Sequence, residues 1–188
     1  LFIRLANISS WNLIFYRGFI PFFVVFVCLL FIYKTKLFEQ VLKNSWYGVA
    51  YALVFTITNI TFVISIENTN VANTLIMIAL APMLSAILSF IFLKEIPDKK
   101  TWIAIIVTTL SVIYIFYDAL DAGDILGNAL GLLTALGLAV GAVIIRSVKK
   151  IDLVPSAMFG KLLVALIAFY FADNLILEGN DITIIPLM

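Results

Sequence analysis

An all-α membrane protein, a multi-span helical bundle, is the fold class this sequence predicts, and three features predict it. The 188 residues are 64% hydrophobic and 12% charged, with a mean hydropathy of +1.16. A soluble domain runs at roughly 45–50% apolar and about 25% charged, so a chain this apolar has too little polar surface to show water. Six long apolar runs follow one another, each near the length of about 20 residues that crosses a bilayer. The loops between them alternate in basic charge: 34–45, 67–70, 94–101, 118–124, 146–153 and 173–181 carry 3, 0, 3, 0, 3 and 0 Lys/Arg. Short basic loops stay in the cytoplasm, so the alternation orients every helix.

The first span is read over Trp11–Tyr33 and the second over Trp46–Ile66. The third covers Val71–Leu93, and Pro82 inside it removes a backbone hydrogen bond and predicts a kink. The fourth, Trp102–Tyr117, is short, about 24 Å long at the helical rise. The fifth, Ile125–Ile145, continues an i+4 series from Gly123 just before it through Gly127, Gly131, Ala135 and Ala139, with Gly137 and Gly141 as a second pair. Such a small-residue ridge lets two backbones approach closely. The sixth covers Val154–Ala172. Trp11, Trp46 and Trp102 open three of the spans, and Tyr33, Tyr47 and Tyr117 sit at span ends, where amphipathic rings prefer the headgroup level.

The orientation follows from the charges. Loops 34–45, 94–101 and 146–153 face the cytoplasm, while those around Glu67, Asp118, Asp121, Asp124, Asp173, Glu178 and Asp181 face outside, with residues 1–10. Leu1–Leu5 reads as the tail of an earlier span and Ile184–Met188 as the opening of a later one, so the chain is expected to be part of a longer protein. The protein is expected in the cell (cytoplasmic) membrane as a multi-pass chain, with the lipid bilayer as its first partner.

Composition also removes function classes. A net charge of +1 gives no electrostatic case for nucleic acid. The lone Cys28 allows no intrachain disulfide, and the absence of histidine removes the commonest general base and metal ligand. No phosphate-cradling glycine loop, metal-binding spacing or nucleophile–base pair is present, so no catalytic residue, metal or cofactor is expected, and the chain is not read as an enzyme.

Two cations, Arg17 and Lys161, lie inside spans. An intramembrane cation costs at least ~2.5–3.5 kcal/mol at mid-depth. Two readings stand: each snorkels to the nearer interface, or each faces protein and serves a function. For Lys161 the protein-facing reading gains from Ala157, Ala165, Ala168 and Ala172, which share its helix face. Thr56, Thr58, Asn59 and Thr61 cluster in the second span, Asn73, Thr74, Ser85 and Ser89 dot the third, and Asn128 and Thr134 sit in the fifth. These groups suit either a polar substrate or bonds between helices and to backbone carbonyls. Tyr16, Arg17, Thr56, Asn59, Thr74 and Lys161 are the residues expected to line a water-filled substrate cavity; Pro82, Gly127, Gly131, Gly137 and Gly141 are assigned to packing and kinking.

A weak repeat completes the pattern. Phe2-Ile3-Arg4 precedes a span with Arg17, and Ile144-Ile145-Arg146 precedes one with Lys161. The first copy sits outside and the second inside, as in an inverted repeat of about five spans.

Phe15-Tyr16-Arg17, the run from Asn73-Thr74-Leu75 through Leu80-Ala81-Pro82, and Phe92-Leu93-Lys94-Glu95 followed by Trp102 resemble the EamA-type membrane proteins of the drug/metabolite transporter superfamily. The likeness covers essentially the whole chain. It implies ten spans in two inverted five-helix halves around a central cavity, with this chain holding spans two to seven. Residues 1–117 would be the remainder of the first repeat and 118–188 the start of the second. It also implies export or exchange of small metabolites, amino acids or drugs by alternating access, and sets Arg17 and Lys161 at equivalent places in the two halves. An assembly subunit that packs on the glycine ridge, with a homodimer among the partners this allows, is the alternative; an integral-membrane enzyme is a more distant one.

Overall fold

The computed structural model describes residues 9–34, 45–116, 125–148 and 151–172. Expectations for Arg4, Lys36, Lys43, Tyr117, Asp118, Asp121, Gly123, Asp124, Lys149, Lys150, Asp173, Glu178, Asp181 and both chain ends fall outside them.

Seven helices account for nearly all of the described residues, and no strand occurs among them. In chain order they are α1 (Ser10–Tyr33), α2 (Ser45–Asn68), α3 (Val71–Ala79), α4 (Ala81–Leu93), α5 (Lys99–Phe116), α6 (Ile125–Ser147) and α7 (Val154–Phe171). Five spans are long and apolar enough to cross a membrane: Ser10–Tyr33, Trp46–Asn68, Val71–Leu93, Ile125–Ser147 and Val154–Phe171. They match five of the six expected from sequence. The sixth expected span lies in α5, which opens on Lys99 and Lys100 and is not among those five. Large apolar side chains stand exposed along the helices, Phe31 at 80%, Phe92 at 70% and Tyr114 at 84%. Lipid-facing positions carry such side chains without cost. The chain is thus an all-α, multi-span membrane bundle.

Local chemistry sets the helix ends. Ser9 caps α1, its hydroxyl accepting from the Asn12 N–H at 3.4 Å. Asn70 caps α3 by accepting from the Ala72 N–H at 3.3 Å. Between α3 and α4 the helix breaks at Leu80, two residues before Pro82, whose ring cannot donate to the ladder. The Leu80 N–H turns to the Met77 carbonyl at 3.1 Å, a tightened turn at the predicted kink. α4 stops at Lys94, which takes the left-handed conformation at φ 55° while the Glu95 N–H reaches back to the Ser89 carbonyl at 3.4 Å.

The chain divides into two compact units, Leu1–Ile60 with Lys150–Met188, and Thr61–Lys149, and α2 runs through both. In the first unit α1 and α7 pack antiparallel along their length. The Trp11 and Phe171 rings stack at 4.7 Å at one end, and the Tyr33 hydroxyl donates to Asp152 at the other. Asp152 also accepts from the Val154 N–H at 2.9 Å, so one carboxylate caps α7 and ties it to α1. Leu29 and Met158 form a core with Phe22, Val25, Phe26 and Phe159 around them.

In the second unit α3 and α4 pack on α6, with α5 against α3. A ladder of small polar groups joins the C-terminal half of α2 to α3 and α6. Thr61 and Thr134 share a hydroxyl–hydroxyl bond of 2.8 Å. The Ser65 hydroxyl donates to the Gly127 carbonyl at 2.7 Å and meets Thr74 at 2.9 Å. Thr69 donates to the Asn128 amide oxygen at 3.0 Å and accepts from Asn73 at 3.2 Å. Thr61, Ser65 and Thr69 recur every four residues, so one stripe of α2, continued by Thr69 just past its end, carries the ladder.

Candidate functional site

The site around Lys161 is built by two glycines. Gly18 of α1 lies on the backbone of α7: a Cβ there would stand 2.8 Å from the Ala165 nitrogen and 2.9 Å from the Lys161 carbonyl oxygen. Gly160 of α7 lies on α2 in the same way, where a Cβ would meet Phe55 Cδ1 at 2.9 Å and the Ala52 carbonyl at 3.0 Å. α7 is thus held between α1 and α2 at contacts too close for any side chain, and Lys161 sits beside both. Neither glycine stands out in the sequence. The signal is that each adjoins an intramembrane cation, as Arg17-Gly18 and Gly160-Lys161.

The Lys161 ammonium is half-buried and donates to Asn59 Oδ1 at 2.7 Å. It also stands 5.2 Å from the centre of the Phe55 ring, on the π face that favours a cation. Asn59 Nδ2 donates to the Phe55 carbonyl at 2.7 Å, which fixes the amide with its oxygen toward the ammonium. Arg17, half-buried on α1, adds a second positive charge that repels Lys161. Tyr16 next to it is half-buried and stacks edge-on with Phe15 at 5.3 Å. The structure therefore brings Lys161 and Asn59 into contact, with Arg17 close enough to act on the ammonium.

Two of the expected cavity residues differ. Thr56 is 3% exposed, and its hydroxyl is used by the Ala52 carbonyl at 2.7 Å and the Gly160 carbonyl at 3.1 Å. Thr74, in the second unit, has no exposed surface, and its hydroxyl is bonded to Ser65. Both are sealed into helix contacts, because a buried hydroxyl in an apolar segment takes the nearest acceptor. Of the packing residues, Gly127 and Gly131 face close neighbours. A Cβ on Gly127 would stand 2.6 Å from Thr69 Cβ, and one on Gly131 would stand 3.1 Å from Ser65 Oγ. Gly141 is buried as well, and Gly137 partly so.

The second unit holds a cavity of about 520 Å³ between α4, α5 and α6. It is lined in part by Pro82, Ser85, Ser89, Glu95, Thr101 and Arg146, and by none of the six residues expected to line one. Arg146 approaches Glu95 Oε2 at 3.7 Å and Ser89 Oγ at 3.4 Å, a pair open to solvent. Among the described residues no group of His, Cys, Asp and Glu could hold a metal ion.

No curated protein and no solved structure matches the chain significantly. The model of the EamA-like transporter family does match, over residues 1–117, which is more than half of the sequence and spans α1 to α5. With its apolar helices and two intramembrane cations, the chain belongs to the EamA-like transporter family and is a membrane transporter in kind.

Proposed function

We propose that the protein is a secondary transporter that exports or exchanges small metabolites, amino acids or drugs across the cell membrane by alternating access, and that the solute is met in the first unit by Lys161, Arg17, Asn59 and Tyr16. The observation that carries this reading is the Lys161–Asn59 contact. A charged group in an apolar helix costs free energy, and this one is held half-open by a fixed amide rather than sealed. Backbone contacts on both sides of α7 tie the Lys161 turn to α1 and α2, so the charge is carried by helix movement. The inverted five-plus-five arrangement, with residues 1–117 and 118–188 in opposite halves, is part of the same reading.

The sidedness proposed is cytoplasmic for loops 34–45, 94–101 and 146–153. Within the first unit the Tyr33 end of α1 meets Asp152, and within the second Glu95 meets Arg146, so basic loops pair with basic loops. Thr69 meets Asn128 where two loops without Lys or Arg lie, which supports the same alternation.

The test is flux in liposomes carrying the full-length protein, read by mass spectrometry on a mixture of cell metabolites. Saturable movement of at least one metabolite is expected, with a raised KM or lowered rate in Lys161→Ala and Asn59→Ala. No saturable flux would refute the transporter reading and favour the assembly subunit; flux unchanged in both variants would move the site elsewhere.

A further inference from the structure

We propose that the solute is a net anion, its carboxylate or phosphate oxygens bound by the Lys161 ammonium within the field of Arg17. The proposal rests on the transporter reading and narrows it to a substrate class.

Three features of the first unit carry it. The Lys161 ammonium has three hydrogens to donate, and the contacts that hold it are neutral ones, the Asn59 amide oxygen and the Phe55 ring. The Arg146–Glu95 ion pair belongs to the second unit. Lys161 thus carries its charge into an apolar span with no carboxylate among the described residues at ion-pair distance. The second feature is Gly18, which presses the turn bearing Arg17 onto the Lys161–Ala165 turn, so two like charges are held near each other by backbone contact. Side-chain rotation alone does not separate those turns. The third is Asn59: one amide hydrogen goes to the Phe55 carbonyl and its oxygen to the ammonium. It positions Lys161 and leaves the remaining ammonium donors for a guest.

Two cations held close in a low-dielectric layer repel, and an oxyanion between them turns that repulsion into two attractions. A zwitterion gains less, because its own ammonium would meet the positive charge of Lys161 and Arg17. A neutral solute gains least. The Lys161 ammonium is a point charge whose donors suit carboxylate and phosphate oxygens alike, so both oxyanion classes fit.

The experiment measures thermal stabilisation and liposome uptake of the full-length protein with four probes: succinate, inorganic phosphate, alanine and glucose. Succinate or phosphate is expected to stabilise the wild type and to be taken up saturably, with alanine and glucose inert. A response to succinate alone assigns a carboxylate, and to phosphate alone a phosphate group. In Lys161→Gln the apparent affinity for the active anion falls about tenfold or more, the worth of a lost charge-assisted hydrogen bond. Lys161→Arg restores most of it, and the ligand-free melting temperature of each variant checks folding. If neither anion acts on the wild type, or Lys161→Gln leaves anion affinity unchanged, the proposal is overturned. Saturable flux of a neutral or zwitterionic metabolite at undiminished rate in Lys161→Gln would overturn it while leaving the transporter reading intact.

Discussion

Gly127→Ala is the substitution whose cost the structure specifies most closely. The added methyl would lie 2.6 Å from Thr69 Cβ, 2.7 Å from the Asn68 carbonyl carbon and 2.8 Å from the Thr69 nitrogen. Two of these atoms are backbone, so relief requires α2 and α6 to move apart at that level. Overpacking of this kind costs about 1–3 kcal/mol. Separation also stretches the 2.7 Å bond from Ser65 to the Gly127 carbonyl, for which an interhelical bond in a membrane is worth about 0.6 kcal/mol. Replacing glycine in a helix returns up to about 1 kcal/mol of propensity. The net loss is therefore about 0.6–2.6 kcal/mol. Gly131→Ala is the internal control. Its methyl would meet Ser65 Oγ at 3.1 Å and Met77 Cβ and Cγ at 3.2 and 3.4 Å, all side-chain atoms that can give way. Propensity then offsets crowding, and the change stays within about 1 kcal/mol of zero. Melting of the full-length protein in detergent should place Gly127→Ala several degrees below both the wild type and Gly131→Ala. Equal melting of the two variants, or a larger drop for Gly131→Ala, would refute the backbone-contact argument.

Three further outcomes are expected. Glu95→Gln should lower stability by less than about 1 kcal/mol, because the pair with Arg146 is exposed and long; a melt at low and high salt checks this. Lys94→Gly should raise stability by about 1 kcal/mol at most, read as a slightly higher melting temperature, since glycine relieves the left-handed backbone at φ 55°. Pro82→Ala should restore a donor to the α3–α4 junction, and amide exchange should show residue 82 protected; an amide that exchanges as fast as a loop's would mean that proline does not cause the break at Leu80.

Periodic and compositional signals were legible in the sequence. The five membrane-crossing helices lie where apolar runs predict them, and the break at Leu80 follows from Pro82. α6 runs two residues past Ile145, to Ser147, because apolarity marks where a bilayer core ends and a helix continues until its carbonyls find other partners. The polar groups were less legible. Thr56 and Asn59 sit three residues apart on one helix, yet one hydroxyl is sealed against the Gly160 carbonyl while the other side chain reaches the Lys161 ammonium. Which of them faces open space depends on α7, a hundred residues away. Ser65 escaped notice for the same reason. Its role comes from Gly127 and Thr74, and only its i+4 spacing from Thr61 and Thr69 hinted at it.

The glycine at position 18 has a mechanical consequence for the charge beside it. Where two helices touch through side chains, a small displacement is absorbed by rotamers. Where they touch backbone to backbone there is nothing to absorb it, and the partner must move in step. Gly18 rests on the Lys161 carbonyl, so a rise or tilt of α1 is passed to the backbone that carries the ammonium. Helix position then sets the height of the Lys161 backbone in the membrane, and the side chain sets the reach of the charge from there.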